Sequence, residues 1–96
     1  MSRPVQYRFR LYVADDTANS TQALRNLTAL CRTHLPGRHE IAVVDVLEEP
    51  ERALQDGVFM TPTLMVLAPA PVRRIVGTLS QTETVLLALG LNVVAA

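Results

Sequence analysis

The chain has 96 residues, 49% apolar and only 4% aromatic, with nine basic and nine acidic side chains that cancel. That length sets the expectation of one small domain, residues 1–96, with an aliphatic core of Leu, Val and Ala. Zero net charge gives no footing for nucleic acid or an anionic membrane and puts little repulsion in the way of self-association, while the single Cys excludes a disulfide framework and a Cys-rich metal site.

Met1–Gln6 does not read as a signal peptide and no apolar run reaches membrane-spanning length, so the expected location is cytoplasmic. Val5, Tyr7, Phe9, Leu11 and Val13 alternate with Gln6, Arg8, Arg10 and Tyr12, the period of a strand buried on one face. Asp15-Asp16-Thr17-Ala18-Asn19 makes a polar turn. A helix follows with Leu24, Leu27, Leu30, Cys31 and His34 on one face. Asn19 with Gln22 has the form of a capping box, and Thr17 or Ser20 can equally serve as N-cap. Pro36-Gly37 ends this helix. Ile41–Leu47 is nearly all apolar, which predicts a strand covered on both faces. Glu48-Glu49-Pro50-Glu51 then opens a short helix that stops near Gly57, with proline and acids where a first turn favours them.

Thr61-Pro62-Thr63 leads into the apolar run Leu64–Ala68. Pro69-Ala70-Pro71 punctuates, Val72–Val76 resumes, and Gly77 stops. Pro62 cannot donate to a ladder, so it belongs at the entry to a strand, and the whole stretch reads as a β-hairpin. Ser80-Gln81-Thr82-Glu83 reads as a capping box for a last helix with Val85, Leu86, Leu89 and Leu91 facing inward. Val93–Ala96 are expected to fray. The order β-α-β-α-β-β-α is the thioredoxin-like plan, an α/β fold. Proline statistics alone favour a trans Thr61–Pro62 bond, but in this plan the second unit's first strand is entered through a cis proline, so Pro62 is expected to be cis.

A thiol redox enzyme of that plan needs a thiolate at the N-terminus of the first helix, and Asp15–Ser20 contains no Cys and hence no CxxC pair. Cys31 lies about three turns further on and reads as a small core residue. A thiol oxidoreductase or peroxidase is therefore the disfavoured enzyme reading. His34 and His39 flank Pro36-Gly37 without a recognised metal-ligand spacing. The acidic pairs Asp15-Asp16 and Glu48-Glu49 suit helix starts better than acid–base chemistry. No glycine-rich phosphate loop is present, so no cofactor or metal is expected. Arg73 and Arg74 fall on opposite faces of one strand and, with Arg25, are candidate anchors of a protein interface. A catalytic scaffold without its catalyst points to a binding module.

Tyr12-Val13-Ala14, Asn19-Ser20, Asp45-Val46-Leu47, Pro50, Thr61-Pro62-Thr63-Leu64 and Pro69-x-Pro-Val-Arg-Arg-Ile-Val-Gly-x-Leu-Ser80 together resemble the KaiB family, over about Tyr7–Leu91. The resemblance implies a non-enzymatic regulator that binds the ring of a KaiC-type ATPase and modulates its phosphorylation or ATPase cycle, in circadian or clock-like timing. It implies KaiA or a histidine kinase as further partners, and monomer, dimer or tetramer as states of self-association. Arg25, Val44, Asp45, Arg73 and Arg74 are the partner-binding positions it points to. A stand-alone adaptor in stress or two-component signalling is the alternative. Departures from the usual pattern mark a divergent member: Asp15-Asp16-Thr17-Ala18 after the first strand, Gln22, Gly57, Ala70 within the proline run, Thr78 after Gly77, and no acidic tail.

The resemblance also implies two folds, a thioredoxin-like one and a rearranged tetramer form, with Pro62, Pro69, Pro71, Gly77, Ser80 and Glu83 at the pivots. Val72–Leu79 suits both, because Val72, Arg74 and Val76 alternate as a strand while Val72, Ile75, Val76 and Leu79 keep helical spacing. The all-apolar run Leu64–Ala68 and the box Ser80–Glu83 tilt the isolated chain toward the thioredoxin-like form, monomeric or weakly dimeric.

Overall fold

The computed structural model describes residues 6–15 and 17–91; the readings on Val5, Asp16 and Val93–Ala96 lie outside the described residues. Seven elements follow in order: β1 (Tyr7–Val13), α1 (Ala18–His34), β2 (His39–Asp45), α2 (Pro50–Gln55), β3 (Thr63–Ala68), β4 (Arg73–Val76) and α3 (Thr82–Ala88). The strands form one sheet in the order β2-β1-β3-β4. β1 runs parallel to β2, and the other two pairings are antiparallel. This is the expected βαβαββα, thioredoxin-like architecture. Residues 73–76 are strand and 82–88 helix, so the rearranged arrangement is not the one seen here.

The sheet separates two apolar clusters. The larger joins Phe9, Leu11, Leu27, Cys31, Leu64, Val66 and Leu86, so α1 and α3 cover the same face. The smaller joins Tyr12, Val44, Ala53, Val58 and Met65 beneath α2. β3 is covered on both sides, as its unbroken apolar run requires: Leu64 and Val66 enter one cluster and Met65 the other. Thr61–Pro62 is cis, as expected, and Ala68–Pro69 and Ala70–Pro71 are cis as well, which the sequence reading did not anticipate. Gly77 has φ 116, a backbone region that favours glycine, and its N–H reaches the Pro62 carbonyl at 2.9 Å, so it ends β4 beside the start of β3.

Several local expectations are corrected. Tyr12 is fully buried rather than solvent-facing, because α2 folds back over that side of the sheet. β2 is an edge strand, not a covered one. Among the described residues its only strand partner is β1; the six-residue α2, on the Val44 side, leaves Ala42 exposed, and Val43 is exposed on the opposite face. β2 also stops at Asp45, leaving Leu47 exposed in the turn that follows. The buried stripe of α1 is Ser20, Ala23, Leu27, Leu30 and Cys31, and both Leu24 and His34 face outward. Ser20 Oγ, accepting from the Ala14 N–H at 3.1 Å, sets that rotation, and Thr17 is the N-cap. The Ser80–Glu83 capping box does not form. The N-cap of α3 is Gln81, which makes no side-chain cap bond. Leu79 takes φ 61 and buries its side chain in the larger cluster, and that burial directs the chain entering α3.

Candidate partner interface

The structure scatters the five positions singled out as partner-binding. Arg25 lies exposed on the outer side of α1. Val44 is only 2% exposed and packs with Tyr12, Ala53 and Val58, so its side chain supports the strand from within. Asp45, next to it, is half-buried at the end of β2. Its Oδ1 accepts from the Leu47 N–H at 2.9 Å and the Asp15 N–H at 3.3 Å. One carboxylate thereby fixes two turns at the same end of the sheet, the turn after β1 and the turn after β2.

Arg73 and Arg74 do point to opposite faces, and each is engaged within the chain. Arg73 Nη1 donates to the carbonyl of Ala88, the last residue of α3, where a cation meets the negative end of a helix favourably. Arg74 donates from Nε and Nη2 to the Asp56 carbonyl, at 3.1 and 2.6 Å, a forked contact that lysine cannot reproduce. Gly57, beside that carbonyl, has φ +69, and a Cβ there would sit 3.5 Å from the Arg74 guanidinium. The two arginines thus tie β4 to α3 on one face and to the α2 end on the other.

The sequence reading missed the polar cluster under that end. The Asp56 carboxylate accepts from Arg10 Nη1 at 2.7 Å and from the Tyr12 hydroxyl, which also lies 3.3 Å from the Arg52 carbonyl. Hydrogen bonding from Tyr12 holds the Asp56 carboxyl below the usual carboxylate range, with Arg10 acting the same way and burial opposing both. Burial, reinforced by Asp56, pushes the Tyr12 hydroxyl up. The only signal in the sequence was an arginine and a tyrosine two residues apart on one side of a strand. Nothing local paired them with a residue more than forty positions away.

The place where a redox relative keeps its thiolate is filled by Asp15, Thr17, Ala18, Asn19 and Ser20. Cys31 is fully buried, and burial pushes its thiol up to about 11. A group that stays protonated at neutral pH is a poor nucleophile. Wild type and Cys31→Ser are therefore expected to be equally inactive in an insulin-reduction assay; turnover lost in the variant would contradict this. Cys31, His34 and His39 are not brought together: His34 is exposed, and His39 Nδ1 lies 2.7 Å from the Leu35 carbonyl. Among the described residues no helix is long and apolar enough to cross a membrane.

The fold and site define a thioredoxin-like domain that lacks the thiol pair and carries a buried, unreactive Cys instead. Solved structures share this architecture. The N-terminal domain of Synechococcus elongatus SasA matches with a TM-score of 0.75 at 16% identity, over 93% of this chain and 84% of that one. Chloroplastic thioredoxin z matches with a TM-score of 0.73 at 18% identity, over 90% and 80%. The KaiB domain profile matches residues 10–91, and the chain belongs to the KaiB family. Its similar relatives are named as clock proteins. A circadian clock oscillator protein KaiB of Synechococcus sp. is 44% identical over 95% of this chain and 83% of its own length. One from Acaryochloris marina is 45% identical over 88% and 82%. The circadian clock protein KaiB3 of Synechocystis sp. is 40% identical over 88% and 81%.

Proposed function

We propose that this chain is a non-enzymatic timing regulator that docks on a KaiC-like ATPase ring and modulates its phosphorylation or ATPase cycle. The observation that carries this reading is the 44% identity, over nearly the whole chain, to a protein named for the circadian clock oscillator. The absence of a thiolate from the thioredoxin-like helix start supports a binding role over a redox one. KaiA or a histidine kinase would be a competing or successive partner. The contact surface is read as the outer side of α1 with Arg25, together with the sheet end organised by Asp45. In this reading Val44, Arg73 and Arg74 act by holding that surface in shape.

Size-exclusion chromatography of the chain with a KaiC-type hexamer tests the reading, and a shared peak at tens of micromolar is the expected result. Arg25→Glu is expected to weaken the complex by about 2 kcal/mol, the loss typical of an arginine anchor, with the fold intact by circular dichroism. No complex for the wild type at that concentration would sink the proposal. An unaffected Arg25→Glu complex would remove α1 from the surface.

A further inference from the structure

The outer edge of β2, unpaired among the described residues, has the geometry of a self-complementary dimer seam. Its seven residues, His39-Glu40-Ile41-Ala42-Val43-Val44-Asp45, pair with β1 in unbroken register. They contain no proline, lysine or bulge, the usual devices that protect an edge. The one acid in mid-strand, Glu40, is 3.5 Å from Arg8 on the neighbouring strand.

The hydrogen-bonding sense of the edge follows from its ends. The Arg38 carbonyl accepts from the Tyr7 N–H at 3.0 Å, and the Val46 N–H donates to the Val13 carbonyl at 2.9 Å. N–H and C=O groups alternate in direction along a strand, so the even residues of β2 turn theirs toward β1. The odd residues His39, Ile41, Val43 and Asp45 turn theirs outward. An antiparallel partner must match those residues in hydrogen-bonded pairs.

We propose that a second copy of this chain occupies this edge, β2 against β2, with a two-fold axis at Ala42. In that register Ile41 faces Val43 of the second copy and His39 faces its Asp45. All four of these residues are of outward, hydrogen-bonding parity. The apolar pair takes Val43, 48% exposed in the single chain, out of water. The outer pair sets an imidazole against a carboxylate, a polar cross-strand match of donor and acceptor. Shifting the register by two residues in either direction loses that match: one shift sets Ile41 against Asp45, the other His39 against Val43. The two sheets would join into one of eight strands through an isologous contact. This seam goes beyond the proposed docking on an ATPase ring and does not depend on it.

Sedimentation of the full chain over a concentration series is the test, with Val43→Lys and Ala42→Cys as variants. The wild type is expected to pass from monomer to dimer with rising concentration, and Val43→Lys to remain monomeric with an unchanged far-ultraviolet spectrum. Ala42 faces itself across the axis at a spacing suited to a disulfide, so Ala42→Cys should cross-link readily under mild oxidation. Val43→Cys should cross-link far more slowly, because its opposite is Ile41. If Val43→Lys fails to fold, the contrast between the two cysteine variants decides. A chain that stays monomeric to millimolar concentration overturns the proposal, as does a dimer in which Ala42→Cys fails to cross-link.

Discussion

Asp56→Ala is expected to destabilise the fold by about 2–3 kcal/mol at neutral pH, more than its position just after a short surface helix implies. The carboxylate is about one-fifth exposed and accepts from Arg10 and Tyr12. Removing it leaves a half-buried guanidinium whose Nε has no hydrogen-bond partner among the described residues. The Tyr12 hydroxyl is left with one long contact to the Arg52 carbonyl. Because Tyr12 and Arg10 hold the folded-state pKa of Asp56 below its unfolded value, its contribution is fully present above the unfolded carboxyl pKa, about 4, and is lost as pH falls through the lower folded value. The stability gap between wild type and Asp56→Ala should therefore be constant from neutral pH down to about 4, the unfolded carboxyl pKa, and then close as pH falls through the folded value. Urea unfolding across that range measures it. Equal midpoints at neutral pH would show that the cluster contributes nothing.

Leu64→Ala should cost still more, about 2–5 kcal/mol, the range for deleting a buried leucine from a packed core. Leu64 is fully buried in β3, the strand that connects β1 to β4, and it packs in the cluster that α1 and α3 share. Domains of this size hold only about 5–15 kcal/mol in total, so the variant is expected to lose a large share of its stability. Leu54→Ala is the control: Leu54 is 64% exposed, and its loss should lie within about 0.5 kcal/mol of wild type. Similar unfolding midpoints for the two variants would mean that β3 does not hold the core in the way described.

Where the sequence reading succeeded, the residues carried their own local instruction. Alternation over Tyr7–Val13 marks a strand because successive side chains point to opposite faces. Pro50 can only start a helix, the unbroken run Leu64–Ala68 suits only a strand buried on both sides, and Gly77 stops a strand where φ turns positive. The candidate interface was less legible. Arg25 and Asp45 do lie at the surface or near it, whereas Val44 is a core residue and both Arg73 and Arg74 are bound to carbonyls of their own chain. Whether an arginine anchors a partner or its own fold depends on what stands opposite it.

The same division explains the local errors. Ser80-Gln81-Thr82-Glu83 has every residue a capping box needs, yet burial of Leu79 outweighs a cap of about 1 kcal/mol and moves the N-cap to Gln81. Ile41–Leu47 and Leu64–Ala68 are both apolar runs, and nothing within either one tells an edge strand from a central strand. By itself, then, the sequence determined the seven elements, their order and hence the fold, because backbone propensity and side-chain period act over a few residues. Only the tertiary structure decided which strand is the edge, that Tyr12 is buried, and that Arg10, Tyr12 and Asp56 meet. Those outcomes depend on contacts across some forty residues of chain, where the packing of α2 onto the sheet, not any local preference, sets which groups lose their water.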